Sequence, residues 1–180
     1  MKINSISVGE LHCNCYILEQ NGECLLIDPG DELEKIERFI KNKNVIAILL
    51  THHHFDHIGC VKPLIDKYHY PLYEAQNLSE GTHEISTFCF EVINTPGHTM
   101  DSITYYFPRD KVMFTGDFLF YRTIGRCDLK GSDPQKMLQS IQKIKTYPND
   151  IKIYPGHGIA TVLGEEKRDN PYFQREYYRD

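Results

Sequence analysis

Residues 45–60 read VIAILLTHHHFDHIGC, an apolar run that ends abruptly in histidines and one aspartate. The apolar run, residues 45–50, lacks alternation with polar residues, which predicts a short strand covered on both faces. The polar cluster, residues 51–57, follows at the carboxyl end of that strand, where α/β sheets place their ligands. Four histidines and a carboxylate at this position predict a metal site.

Spacing within the cluster divides its side chains between two directions. Alternate side chains of an extended loop point the same way, so His52, His54 and Asp56 are expected to face one side. His53 would face the other side. His57 follows Asp56 directly and would reach a second, adjacent coordination sphere, which suggests two metals. The alternative is an exposed histidine tract that binds metal adventitiously, but such a tract needs no buried strand leading into it.

Composition restricts the possible partners. The 180 residues include 20 basic and 25 acidic side chains, a formal net charge of −5. No stripe of Lys or Arg is present to neutralise phosphates, so we expect no nucleic acid partner. The sequence shows neither a signal-peptide pattern nor an apolar run of about 18 residues, and we expect a soluble, cytoplasmic protein with no membrane partner. The oligomeric state is left open.

The length fits a single domain, which we expect to span residues 1–180. Six cysteines match no small secreted disulfide framework, and three of them, Cys15, Cys24 and Cys89, lie in apolar runs. Reduced, packed thiols are therefore expected.

Strand and helix patterns alternate along the chain, as in α/β proteins. The expected strands cover residues 3–8, 16–18, 24–27, 45–50, 70–73, 86–93, 102–107, 112–114 and 151–154. The expected helices cover residues 31–40, 58–65, 135–145 and 165–168. Asn21-Gly22 predicts a hairpin turn, and Asp133 before Pro134 predicts the start of the third helix.

Three later strands also end in a residue that can bind metal. His98, Asp117 and His157 each follow an apolar run and lie beside glycine. Taken singly, each has a structural explanation as a turn or loop residue. Because all of them follow strand ends, as the histidine cluster does, together they favour one shared site at the edge of a sheet.

These motifs together resemble the metallo-β-lactamase superfamily. They are Thr51-His52-x-His54-x-Asp56-His57, Gly97-His98-Thr99, Gly116-Asp117 and Gly156-His157-Gly158, in this order. Asp28-Pro29-Gly30 and Asn14-Cys15-Tyr16 are similar to the early strand motifs of that family. The resemblance covers essentially the whole chain and implies a four-layer αββα sandwich, in which two mixed sheets are flanked by helices.

The resemblance also implies a ligand set. One metal would be held by His52, His54 and His98, the other by Asp56, His57 and His157, with Asp117 bridging both. It implies two zinc ions, with iron or manganese as alternatives. Asp56 and Asp117 are the expected catalytic carboxylates.

Two further segments indicate which branch of the family the sequence resembles. Gly125-Arg126-Cys127-Asp128 and the tail from residue 164 to 171 resemble the short glyoxalase II-like hydrolases. This resemblance implies that a metal-bound hydroxide cleaves a thioester of the hydroxyacylglutathione type, or a related ester. The alternatives are a mononuclear iron persulfide dioxygenase, another ester or lactone hydrolase, and a non-catalytic metal-binding domain.

Three residues are candidates for contact with a small-molecule substrate. Phe118 and Tyr121 follow Asp117 closely and would line the approach to the metals, or they would pack between sheet and helix. Arg126 would bind a substrate carboxylate, although pairing with Asp128 is the simpler account. Where the long glyoxalase II enzymes carry lysine and tyrosine, this sequence has Arg126 and Asp128, so glutathione recognition is not implied.

Overall fold

The computed structural model describes residues 1–174; the last six residues of the expected domain lie outside this description. The strands are β1 (Lys2–Val8), β2 (Cys13–Gln20), β3 (Glu23–Ile27), β4 (Asn44–Leu49), β5 (Leu72–Tyr73), β6 (Gly81–Ile85), β7 (Phe88–Asn94), β8 (Ile103–Phe107), β9 (Val112–Gly116), β10 (Leu119–Phe120), β11 (Thr123–Ile124), β12 (Lys152–Pro155) and β13 (Thr161–Val162). The helices are α1 (Leu33–Ile40), α2 (Phe55–Ile58), α3 (Val61–Tyr68), α4 (Pro134–Lys145), α5 (Leu163–Asp169) and α6 (Pro171–Gln174).

Two mixed sheets form the centre of the molecule. The first has the strand order β1-β2-β3-β4-β5 and the second β13-β12-β9-β8-β7-β6. In the first sheet, β3, β4 and β5 are parallel, because α1 and then α2 with α3 carry the chain back between them. In the second sheet, β9 and β12 are parallel and α4 lies between them in sequence.

Apolar side chains cover both faces of each sheet. Tyr16 and Leu25 of the first sheet pack against Phe90 and Phe114 of the second. The outer face of the first sheet is covered by α1 and α3, through Ile36 and Leu64. The outer face of the second sheet is covered by α4, through Met137, Ile141 and Ile144. The four layers are therefore helix, sheet, sheet and helix, as the family resemblance implied.

The strand expected over residues 86–93 forms as β7, but its hairpin partner β6 was not expected. The chain turns at Ser86, and β6 pairs with β7 in antiparallel orientation. Ser86 has a φ of 52°, which a tight turn between the strands requires. The sequence of β6, GTHEI, has no apolar alternation, because this edge strand is half exposed along its length.

Asp133 caps α4 as the sequence predicts. Its Oδ1 accepts hydrogen bonds from the backbone N–H groups of Gln135 at 2.8 Å and Lys136 at 3.1 Å. Replacing Asp133 by alanine is expected to lower the free energy of unfolding by about 1 kcal/mol, because two N–H groups lose their acceptor. Urea denaturation measures this change. Asp133→Asn keeps an acceptor and serves as the control; equal stability of the alanine variant and the wild type would contradict the prediction.

All six cysteines are free thiols, as expected, and four of them are buried. In the part of the chain that the structure describes, no helix has the length and apolar character that a bilayer span needs.

Candidate metal centre

The ends of four strands bring the seven expected ligands to one edge of the two sheets. The ligand atoms of His52, His54, His98 and Asp117 all lie within 4.8 Å of one another. Beside this group, His157 Nε2 lies 3.1 Å from Asp56 Oδ2. The expected ligands therefore form two adjacent groups of side chains.

Asp117 lies between these two groups and faces both. Its Oδ2 is 3.5 Å from His98 Nε2 in the first group. Its Oδ1 is 3.3 Å from His57 Nε2 and 3.5 Å from His157 Nε2 in the second. One carboxylate oxygen is thus directed at each group, which is the arrangement that a bridging ligand requires.

Backbone carbonyls determine which nitrogen of two histidines carries the proton. His98 Nδ1 donates to the carbonyl oxygen of Arg126 at 2.8 Å, and His157 Nδ1 donates to that of Leu11 at 2.9 Å. A carbonyl oxygen only accepts hydrogen bonds, so each Nδ1 must be protonated. The Nε2 lone pairs of both rings are therefore directed into the site, as in metal-binding histidines.

A buried aspartate orients His57 and, through Thr51, His52. Asp28 Oδ2 accepts from His57 Nδ1 at 2.9 Å and from the Thr51 hydroxyl at 2.7 Å. Because the Thr51 hydroxyl donates to Asp28, its oxygen accepts from His52 Nδ1 at 3.1 Å. His52 and His57 are thus held with Nε2 directed into the site, like His98 and His157.

The atoms that face the centre lack partners. Among residues 1–174, the buried side-chain nitrogen and oxygen atoms without a hydrogen bond are His52 Nε2, His57 Nε2 and Asp117 Oδ1. Such atoms are costly to bury, and a bound ion is one of the accepted explanations for them. His54 Nδ1 lies 2.9 Å from His98 Nε2. Nitrogen lone pairs and carboxylates that converge in this way fit bound metal ions.

Burial and neighbouring charges shift the pKa values of the site. Burial opposes ionisation of Asp117, but His57 and His52 hold the pKa of that carboxyl well below its usual range. Burial and the charge of His57 hold the pKa of His52 well below its usual value. Burial also disfavours charge on His57, yet Asp28 and Asp117 raise its pKa. Asp117 is therefore ionised and His52 neutral, which are the protonation states that metal ligands need.

Cys13 is a competing candidate ligand for the second group, since it lies close to His57 and His157. Its Sγ is 3.6 Å from His57 Nδ1, the nitrogen that binds Asp28. Burial raises the pKa of the Cys13 thiol to about 11, which disfavours the thiolate form that binds metal. Asp56 lies on the other side of the ring, 3.8 Å from His57 Nε2. Asp56 therefore fits the second group better than Cys13 does.

His53 lies outside both groups. Its Nε2 is 2.9 Å from Glu74 Oε2, and its Nδ1 contacts the carboxylate of Asp101. This agrees with the expected alternation, in which His53 points away from its two neighbours.

A family model gives the relationship of the chain to known proteins. The model described as the metallo-beta-lactamase superfamily matches residues 8–83 and 78–157. The chain belongs to the metallo-β-lactamase superfamily. The resemblance in the sequence motifs and the expected αββα fold are both confirmed.

Relatives within the superfamily match over nearly the whole chain. The sequence is 35% identical to the probable metallo-hydrolase YqgX of Bacillus subtilis, over 96% of this chain and 97% of that protein. It is 31% identical to the hydroxyacylglutathione hydrolase GloC of Haemophilus influenzae, over 96% and 98% respectively. The crystal structure of TTHA1623 in a di-iron-bound form superimposes with a TM-score of 0.87 at 33% identity, over 94% and 99% of the two chains. This member of the superfamily is thus a metallo-hydrolase by its relationships.

The sequence pattern did not predict that Asp28 orients ligand histidines, although Asp28-Pro29-Gly30 resembles a motif of the family. Asp28 lies directly after β3, the parallel neighbour of β4, so it shares the sheet edge with His52. Two residues later, a Cβ on Gly30 would lie 1.6 Å from the carbonyl oxygen of Asp56. The Asp28-Pro29-Gly30 turn therefore packs directly against the histidine loop, and only glycine permits this contact. The parallel pairing of β3 and β4 was the available signal.

The expected substrate contacts need correction. Phe118 is wrong as a wall residue: it is fully buried and packs in the apolar cluster under α4. Tyr121 is about half exposed and stacks on the guanidinium group of Arg122. The side chain of Arg126 donates to both carboxylate oxygens of Asp128, at 2.7 and 2.9 Å, as the simpler account expected. The part of Arg126 that serves the site is its carbonyl group, which holds His98.

Proposed function

We propose that the chain is a dinuclear metal-dependent hydrolase that cleaves a thioester or a related ester. The observation that carries the proposal is the position of Asp117, whose two oxygens face two separate groups of histidine nitrogens. A mononuclear site would have no use for the second group, which Asp56, His57 and His157 form.

The proposed ligands are those implied by the motifs. His52, His54 and His98 would hold one metal, Asp56, His57 and His157 would hold the other, and Asp117 would contact both. Nitrogen and carboxylate donors suit zinc and iron alike; zinc is the expected metal, and the di-iron form of TTHA1623 makes iron the alternative. When bound, two divalent ions would supply a water of lowered pKa as nucleophile and would polarise the substrate carbonyl.

The residues around the metals have separate tasks in this proposal. Asp28, Leu11 and the Arg126 carbonyl hold the histidine rings in place before substrate arrives, so little reorganisation is needed during the reaction. Asp56, whose Oδ2 lies 3.1 Å from His157 Nε2, would hold the second metal and would orient the nucleophilic water through a hydrogen bond. Asp117 stays ionised because its neighbours lower its pKa.

A thioester suits this site better than an amide. A thiolate leaves readily, since thiols have a pKa of about 8.5, whereas an amide needs a proton donor that no residue among the expected ligands provides. The name of the relative GloC, a hydroxyacylglutathione hydrolase, supports the same substrate class.

Metal analysis combined with turnover tests the proposal. The purified protein is expected to contain two metals per chain and to hydrolyse S-lactoylglutathione and simpler thioesters, with esters, a lactone and a β-lactam as comparison substrates. One iron per chain with oxygen uptake on glutathione persulfide would contradict it, because a persulfide dioxygenase would use only His52, His98 and Asp117.

Removal of metal is expected to lower both activity and stability. Chelation would abolish thioester turnover, and addition of zinc or iron would restore it. Because metal binds the folded chain, a free metal concentration of 100 times the dissociation constant adds about 2.7 kcal/mol to the free energy of unfolding. Thermal melting with and without metal measures this difference. Equal melting temperatures would exclude a resident metal site.

Location and partners stay predictions. Six free thiols agree with a reducing cytoplasm, and the expected partner is a small molecule.

A further inference from the structure

Three of the most exposed apolar side chains occur in loops that carry the second group of ligands or contact it. Phe55 is 73% exposed and lies between His54 and Asp56; Ile159 is 64% exposed and lies two residues after His157. Leu11 is 53% exposed. Large apolar side chains are normally covered, and exposed ones that occur together mark binding sites.

Hydrogen bonds hold these three loops together. His157 Nδ1 donates to the Leu11 carbonyl oxygen at 2.9 Å, and Asn14 N donates to the Gly156 carbonyl oxygen at 2.7 Å. Phe55 joins the same group because its neighbour Asp56 contacts His157 at 3.1 Å. Beside them, the ring of Phe120 meets that of His157 with centroids 6.2 Å apart. Leu11, Phe55 and Ile159, called the apolar rim here, are therefore exposed apolar residues on loops that lie beside the second group of ligands.

The rim has no cationic side chain in its loops. Residues 9–15, 51–61 and 155–161 contain neither lysine nor arginine. A substrate part that carries carboxylates, such as glutathione, would find no partner of opposite charge there. An uncharged hydrocarbon chain would bury area against all three side chains.

We propose that Leu11, Phe55 and Ile159 are specificity residues that bind an uncharged acyl chain of the substrate. The inference rests on the proposed thioester hydrolysis and adds the substrate class: thioesters with apolar acyl groups of several carbons. The acyl chain lies over the rim. The three side chains bind substrate and take no part in the chemistry.

The test measures hydrolysis of S-acyl-N-acetylcysteamine thioesters with acetyl, butanoyl and hexanoyl chains by the metal-loaded full-length protein. In the wild type, kcat/KM is expected to rise about two- to fourfold for each added methylene, since a buried methylene contributes that much to affinity. Phe55→Ala and Ile159→Ala lower the hexanoyl-to-acetyl ratio by about tenfold, mainly through KM. Phe55→Leu restores most of the ratio.

Tyr68→Ala is the matched control, because Tyr68 is also an exposed aromatic residue but contacts Glu37 of α1. Its ratio is expected to equal that of the wild type. Thioester hydrolysis that does not depend on acyl length would overturn the rim proposal and leave the hydrolase proposal intact. The rim proposal would also be overturned if the rim variants changed only the oligomeric state, measured by sedimentation, because the rim would then bind a second copy of the chain.

If no thioester is hydrolysed, a binding measurement distinguishes the rim proposal from the hydrolase proposal. The dissociation constants of 2-oxoalkyl thioethers of N-acetylcysteamine, which cannot be hydrolysed, are measured by calorimetry. Tighter binding with chain length, lost in Phe55→Ala, would support the rim while the hydrolase proposal fails. Equal dissociation constants for all chain lengths would overturn the rim as well.

Discussion

Replacing Asp117 by asparagine is expected to lower kcat/KM for a thioester on the order of 10³-fold. The substitution keeps the size of the side chain but removes the negative charge that faces both groups of histidines. A metal ion supplies several kcal/mol of transition-state stabilisation, and each 1.4 kcal/mol corresponds to a factor of ten. The metal content is expected to fall from two per chain to one or none.

Steady-state kinetics and elemental analysis on the same preparation measure both effects. His53→Asn is the control, since His53 lies in the same loop but binds Glu74 and Asp101 outside the two groups. It is expected to keep two metals. An Asp117→Asn variant with two metals and wild-type kinetics would exclude a bridging role for Asp117.

Replacing Asp28 by asparagine is expected to weaken metal binding by about 10- to 100-fold, the usual effect of losing a carboxylate that orients a ligating histidine. Asn tolerates the φ of 50° at this position, so the backbone is not strained. His57 would lose its charged acceptor, and Thr51 would lose the same partner. Turnover falls at limiting metal and recovers when metal is in excess.

Competition titration with a chromophoric chelator gives the metal affinity of the Asp28→Asn variant. Asp133→Ala serves as the comparison. It is expected to destabilise the protein through the loss of the α4 cap, and Asp133 is not one of the expected ligands. A stability loss alone would affect both variants alike. Unchanged metal affinity in Asp28→Asn would show that Asp28 is only structural.

Most of the site was predictable because its ligands follow strand ends. The carboxyl ends of β4, β9 and β12 are identifiable as apolar runs, and parallel strands bring those ends to one edge. The alternation rule also placed His53 correctly. Asp28 was not assigned a role, since its task depends on β3 lying beside β4, and pairing order is a tertiary property that local patterns do not contain.

The central helices and strands of the fold were predictable, but the strands at the sheet edges were less so. The apolar stripes of α1 and α4 and the buried strands follow directly from periodicity. The edge strand β6 was missed because one exposed face and a polar sequence remove the periodic signal. Phe118 was misplaced for a related reason: an aromatic residue beside a ligand has the same sequence appearance whether it faces the substrate or the core. Its burial depends on α4, which lies elsewhere in the sequence.

The contacts that connect β2 with the loop of His157 have a consequence for folding kinetics. Tyr16 donates its hydroxyl hydrogen to the Pro155 carbonyl oxygen at 2.6 Å, across 139 residues of sequence. Contacts of such sequence separation form late, because closing the intervening chain costs entropy before it gains interactions. The second group of ligands is therefore complete only when both sheets have docked. Metal uptake should then coincide with the final folding step, so the rate of metal incorporation would report the rate at which the native chain forms.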